Sequence, residues 1–147
     1  MFHLNSLLSE ASPVIADDLN TYYDAFAEHY HLLFRDWRAA VQRESAALRR
    51  LLRNRGVKNV LDASGKAGLH AAALALQHLE VTAICPTQNM LLCARQNAAA
   101  FNVQDDITFV RADLPTLTDS VIGNFDAALL KGDALTTFIT DEALYTV

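Results

Sequence analysis

The chain has 147 residues, a hydrophobic fraction of 52%, a charged fraction of 20% and a formal net charge of −5. That length supports one domain with a core of its own, and the composition excludes a disordered tail. The acidic balance gives no general attraction to phosphate backbones, which argues against nucleic acid as the main partner.

Met1–Asn20 reads as an arm, with residues 21–147 forming the α/β domain. Leu4, Leu7 and Leu8 share one side of a helix, and Pro13 breaks that stripe. No basic residue precedes the apolar part, so the arm is a poor signal peptide. Thr21–Phe34 is dense in aromatics. Tyr22, Tyr23, Phe26, Tyr30 and Phe34 recur at threes and fours, which predicts a helix with an aromatic stripe. Two readings stay open: the stripe packs on the sheet, or it forms a lid over a ligand. Asp36–Arg55 predicts a better helix. Trp37, Val41, Leu48 and Leu52 form its stripe, joined by Ala40, Ala47 and Leu51. Arg49, Arg50, Arg53 and Arg55 precede Gly56, the cations and glycine that a helix C-terminus favours.

Val57–Asp62 is the first strand. The loop Ala63–Gly68 is built of small residues apart from Lys66, and an apolar helix follows over Leu69–Leu79. A strand, a tight loop and a helix open a nucleotide-binding α/β sheet, and the free N–H groups at such a helix start would meet a ligand's polar atoms. Glu80–Ile84 is the second strand and Gln88–Phe101 the next helix, facing the core with Met90, Leu91, Ala94, Ala98 and Phe101. Ile107–Arg111 is the third strand, Leu114–Asn124 a loop and Phe125–Leu130 the fourth strand. A helix over Ala134–Val147 closes the chain. Strands alternating with helices predict a parallel sheet with right-handed crossovers. No stretch reaches the roughly 20 apolar residues that span a bilayer. Cys85 and Cys93 fit no zinc or redox spacing, so no metal is expected and a reduced, cytoplasmic setting is the simplest reading.

In such sheets the ligand sits beyond the C-terminal ends of the strands, which selects Ala63–Gly68, Cys85–Thr87, Ala112-Asp113 and Leu130–Asp133. On these blocks, with Tyr23–Tyr30, Trp37 and Val60–Asp62, the chain resembles class I S-adenosylmethionine-dependent methyltransferases. The glycine/sarcosine N-methyltransferase-like enzymes are the nearest group. The resemblance implies a Rossmann-like sheet of order 3-2-1-4 with helices on both faces, shortened because family enzymes continue with further strands. It implies cofactor-binding roles for Tyr23, Tyr30, Asp62, Ser64, Gly68, Cys85, Asp113 and Leu130, with Arg38 a candidate for the cofactor carboxylate.

Three departures stand out. The family's acid is followed by small residues at the second, fourth and sixth places; here these are Ser64, Lys66 and Gly68, and Gly65 stands one place early. Lys66 brings a cation toward a cofactor that is itself cationic. Cys85 stands where the family carries the acid that holds both ribose hydroxyls, and a thiol is a poor acceptor. The free reading of Cys85 is a small apolar filler. The expectation is therefore a methyltransferase-like protein with an eroded S-adenosylmethionine site, non-catalytic on its own. It would act through partner contacts or bind another small ligand. The alternative is an active methyltransferase acting on an amine or other small molecule. The apolar fourth strand would form an edge, so a homodimer or partner subunit is expected to pair with Phe125–Leu130.

Overall fold

The computed structural model describes residues 13–112 and 117–132. The helices are α1 (Pro13–Phe26), a 3-10 helix (Ala27–Leu33), α2 (Trp37–Leu52), α3 (Leu69–Ala75), α4 (Gln88–Ala99), a single 3-10 turn (Gln104–Asp106) and α5 (Leu117–Ser120). The strands are β1 (Asn59–Asp62), β2 (Glu80–Cys85), β3 (Ile107–Arg111) and β4 (Ala127–Leu129). The expectations for Leu4, Leu7 and Leu8, for Asp113 and Pro115, and for Asp133 and the helix over 134–147 lie outside the described residues.

The sheet has the order β3-β2-β1-β4, and every pairing is parallel. Val60 pairs with Val81 on one side and Ala127 on the other, so β1 is central. Alternation along the strands separates two faces. Val60, Val81, Ala83 and Ile107 face a core closed by Ala40, Val41 and Leu48 of α2 and by Leu69 to Ala75 of α3. Leu61 and Ile84 face the opposite side, where Leu117 and Ala112 cover them. The run of alanines in α3 lets this helix lie close to sheet and neighbours, and Ala71, Ala72 and Ala73 are fully buried.

Each longer helix begins on a side-chain cap. The Asp36 carboxylate accepts from Ala39 N at 2.9 Å at the start of α2. Thr87 Oγ1 accepts from Met90 N at 3.2 Å at the start of α4. Such caps satisfy backbone donors that no helical carbonyl reaches. At the N-terminal ends of β1 and β4, Asp126 Oδ2 accepts from Lys58 N and Asn59 N. Asn59 Oδ1 in turn accepts from Asp126 N at 2.8 Å, which fixes the register of this pair.

The structure differs from expectation at several points. The aromatic segment is not one helix: α1 ends at Phe26 and a 3-10 helix follows. Its stripe packs chiefly on α4 rather than on the sheet. On α2, Ala47 and Leu51 point outward, while Ser45 is turned in, 6% exposed. The backbone after α3 unwinds at His78, whose φ is +62°, so the helix is shorter than its apolar run. β4 is shorter than Phe125–Leu130, because Asp126 is spent on bonding to the start of β1. No described helix is long and apolar enough to cross a membrane.

Candidate functional site

The C-terminal ends of β1, β2 and β4 and the loops after them form one rim. Asp62 ends β1 fully buried. Its Oδ1 accepts from Ser64 N and Ser64 Oγ, each at 3.1 Å, and Oδ2 has no hydrogen-bond partner. Burial pushes the Asp62 carboxyl up to about 6, against the opposing pull of the Ser64 bonds. Ser64 Oγ also accepts from Lys131 N at 3.1 Å, so one hydroxyl ties the end of β1 to the loop after β4. Leu130, just before it, is half-buried against the Leu61–Ile84 core.

Two glycines set the loop's path. A Cβ on Gly65 would stand 2.6 Å from the Ile84 carbonyl oxygen. Gly68 has φ +84°, and a Cβ there would meet Ala94 Cα and Cβ at 3.0 Å. Gly68 thus permits close packing of the loop on α4, the role of a third glycine in nucleotide-binding loops. Asn97 Nδ2 donates to Ala67 O at 2.8 Å and holds the same loop from α4.

Lys66 does not turn away from the rim. Its ammonium lies 4.7 Å from the centroid of the Tyr23 ring. A Cβ on Gly132 would lie 3.9 Å from that ammonium, so the side chain reaches from the β1 loop to the β4 loop. Tyr23 itself is buried, packed with Ala67, Cys85 and Met90. Tyr30 lies elsewhere, its ring edge-on to Trp37 at 6.4 Å and tilted against Phe34 at 6.1 Å. The structure therefore brings Tyr23, Asp62, Ser64, Gly68, Cys85 and Leu130 to the rim and places Tyr30 in an aromatic row behind it. Asp113 lies outside the described residues.

Cys85 ends β2 with no exposed surface. Burial pushes its thiol up to about 12, with the nearby Asp62 adding in the same direction. It is a neutral group at neutral pH, which rules out a thiolate nucleophile. Neither histidine named by the sequence serves it as a base. His78 precedes the start of β2, a full strand away. His70 is held 3.8 Å from Glu44, which also pairs with Lys131. Burial lowers His70 to about 4; Glu44 opposes this while Lys131 and Lys66 add to it. Arg38 is not at the rim: it donates to Ala100 O at 3.3 Å and lies over the Phe101 ring. The Asp36 cap sets α2 one position ahead of Trp37, and that phase aims Arg38 at the far end of α4.

The sequence reading missed Glu44, Asn97 and Asp24. Glu44 had a signal, since it occupies the turn between Val41 and Leu48 on the apolar stripe. Asp24 accepts from Asn89 N at 3.3 Å and Asn89 Nδ2 at 3.0 Å, joining α1 to the start of α4. A hollow of about 980 Å³ opens beside this tie, lined by Thr21, Asp24, Glu28, Thr87, Asn89 and Arg111 among others. A smaller one, about 310 Å³, is lined by Glu28, His31, Ala67, Cys93 and Asn97 among others. Asp62, Ser64, Gly68 and Cys85 line neither. Among the described residues no cluster of three metal-ligating side chains occurs.

No family model matches the chain. A glycine/sarcosine N-methyltransferase of Parasynechococcus marenigrum (strain WH8102) is 30% identical over 115 residues, covering 78% of this chain and 40% of that protein. A glycine/sarcosine/dimethylglycine N-methyltransferase of Actinopolyspora halophila is 30% identical over 118 residues, 80% of this chain and 20% of that protein. A glycine/sarcosine N-methyltransferase of Aphanothece halophytica is 28% identical over 124 residues, 84% and 45%. The chain thus spans less than half the length of these relatives. Among solved structures, a candidate O-methyltransferase from Klebsiella pneumoniae superposes with a TM-score of 0.55 at 12% identity, covering 78% of this chain and 63% of that one.

Proposed function

The chain is related in sequence to glycine/sarcosine N-methyltransferases and has the Rossmann-like fold of the class I S-adenosylmethionine-dependent methyltransferases, and from that premise we propose that it is a methyltransferase-like protein whose cofactor site is eroded and which is non-catalytic on its own. The observation that carries this reading is Cys85. A ribose needs an acceptor for its hydroxyls at the end of β2, and the group there is a neutral thiol with no exposed surface. Hydrogen bonds to a charged acceptor contribute about 1.5–3 kcal/mol each, and here that contribution is absent.

Lys66 supports the same reading. Its ammonium lies on Tyr23, at the rim where a sulfonium cofactor would bring its own positive charge. Methyl transfer from a sulfonium depends on holding the nucleophile in line with the methyl carbon, so a loosely held cofactor forfeits most of the advantage. The residues at the rim do not fit S-adenosylmethionine, and we route no chemistry through it. Function then falls to contacts with a second chain or to another small ligand. We propose the β4 edge as the contact, through pairing with a second copy or a partner subunit. β4 is an edge of the described sheet, and Ala128 on it is exposed.

The alternative, an active methyltransferase acting on an amine or other small molecule, draws on the relatives' N-methyl transfer to glycine and sarcosine and on the hollow at the ends of β2 and β3. Incubation with methyl-labelled S-adenosylmethionine and glycine or sarcosine separates the two. We expect no label transferred above the protein-free control; sustained turnover would overturn the reading.

A further inference from the structure

We propose that Lys66 is the resident occupant of a cation seat built on the face of Tyr23, and that the seat accepts a small organic cation once that side chain is removed. The proposal rests on the reading of an eroded cofactor cleft only for its location.

The order β3-β2-β1-β4 reverses direction between β1 and β4. Open α/β sheets hold ligands at such a reversal, beyond the strand ends. Lys66 and Gly132 stand on the two sides of it. The Lys66 ammonium is 4.7 Å from the Tyr23 centroid, and a Cβ on Gly132 would come within 3.9 Å of it. An aromatic face attracts a cation through its quadrupole, and the same geometry recognises alkylammonium ligands. Tyr23 is 8% exposed and fixed by Ala27, Ala67, Met90 and Leu91, so its ring is a rigid floor.

The surrounding charges favour a cation in this place. Lys131 is engaged with Glu44. His70 is neutral at neutral pH, so it adds no competing charge. Asp62 lies buried behind the loop. With the Lys66 charge gone, Asp62 and Glu44 face Lys131 alone, and the vacated place becomes net negative. The backbone also tolerates the change. Lys66 has φ +37°, a conformation that glycine adopts without a Cβ penalty.

The test uses tetramethylammonium chloride as the probe, with sodium chloride at equal ionic strength as the control. Binding is followed by amide chemical shifts in the wild type, Lys66→Gly and Lys66→Arg. We expect Lys66→Gly to bind the probe roughly tenfold or more tightly than the wild type, and Lys66→Arg, which keeps a cation in the seat, to show no gain. Adding Tyr23→Leu to Lys66→Gly should remove the gain. Equal affinity in all forms, or an equal gain in Lys66→Arg, would overturn the proposal. If Lys66→Gly loses its folded spectrum, Lys66→Met gives the same readout. Tight binding of S-adenosylmethionine by the wild type would refute the eroded site without deciding the seat, because the probe affinities are compared between variants.

Discussion

Gly65 and Ile84 approach so closely that a Cβ on the glycine would stand 2.6 Å from the Ile84 carbonyl oxygen and 3.0 Å from its amide nitrogen. Backbone cannot swing aside as a flexible side chain can. Gly65→Ala must therefore push the β1 loop off β2. We expect a loss of about 1–3 kcal/mol, read as a lower urea midpoint with an unchanged slope. Gly68→Ala adds strain at φ +84° to a clash with Ala94 and should cost at least as much.

Asp62 and His70 respond to pH in opposite senses over overlapping windows. Folding raises the Asp62 carboxyl from 3.8 to about 6, so the folded state binds the extra proton in that interval and stability falls as pH rises through it. Folding lowers His70 from 6.5 to about 4, so the unfolded state binds the extra proton and stability rises with pH over that interval. Each effect is about 3 kcal/mol, and the wild type shows mostly their cancellation. We expect Asp62→Asn to become more stable with rising pH between 4 and 6.5, and His70→Gln to become less stable. Urea midpoints at three pH values in this range decide it. Parallel profiles for both variants would contradict the opposed assignments.

The order of the sheet was legible because strands and helices alternate with short loops, and β3 was read over the same residues the structure gives, Ile107–Arg111. β1 was harder. Val57 and Lys58 look like strand residues, but Lys58 N is bonded to the Asp126 carboxylate, a partner far away in sequence. The site was partly legible. A strand-end acid and a glycine at the loop's end could be counted out along the chain. The direction of Lys66 could not, because it is set by Tyr23 and Gly132, which reach the loop only through tertiary folding. Arg38 failed for a related reason: the phase of α2 depends on which residue caps it.

Restoring the missing acid tests the register. Cys85→Asp with Lys66→Gly supplies a charged acceptor at the end of β2 and clears a cation from the rim. We expect affinity for S-adenosylmethionine to rise by about tenfold or more over the wild type, measured calorimetrically. The same variant should be less stable without ligand, since a second carboxylate is then buried near Asp62. No gain in affinity would show that other groups closed the site.

The β4 edge gives a separate prediction. Sedimentation across a wide concentration range should reveal self-association that Ala128→Pro weakens, because proline removes a donor from the exposed ladder. A monomer at every concentration would leave only a different partner for this edge.

The most direct measurement of the central claim is a calorimetric titration of the wild-type chain with S-adenosylhomocysteine. This ligand keeps the ribose and adenine but lacks the sulfonium charge, so Lys66 cannot be blamed for a failure to bind. We expect no saturable heat up to millimolar ligand. Saturation in the micromolar range would mean that the ribose hydroxyls are held without an acid at Cys85, and the eroded site would have to be abandoned.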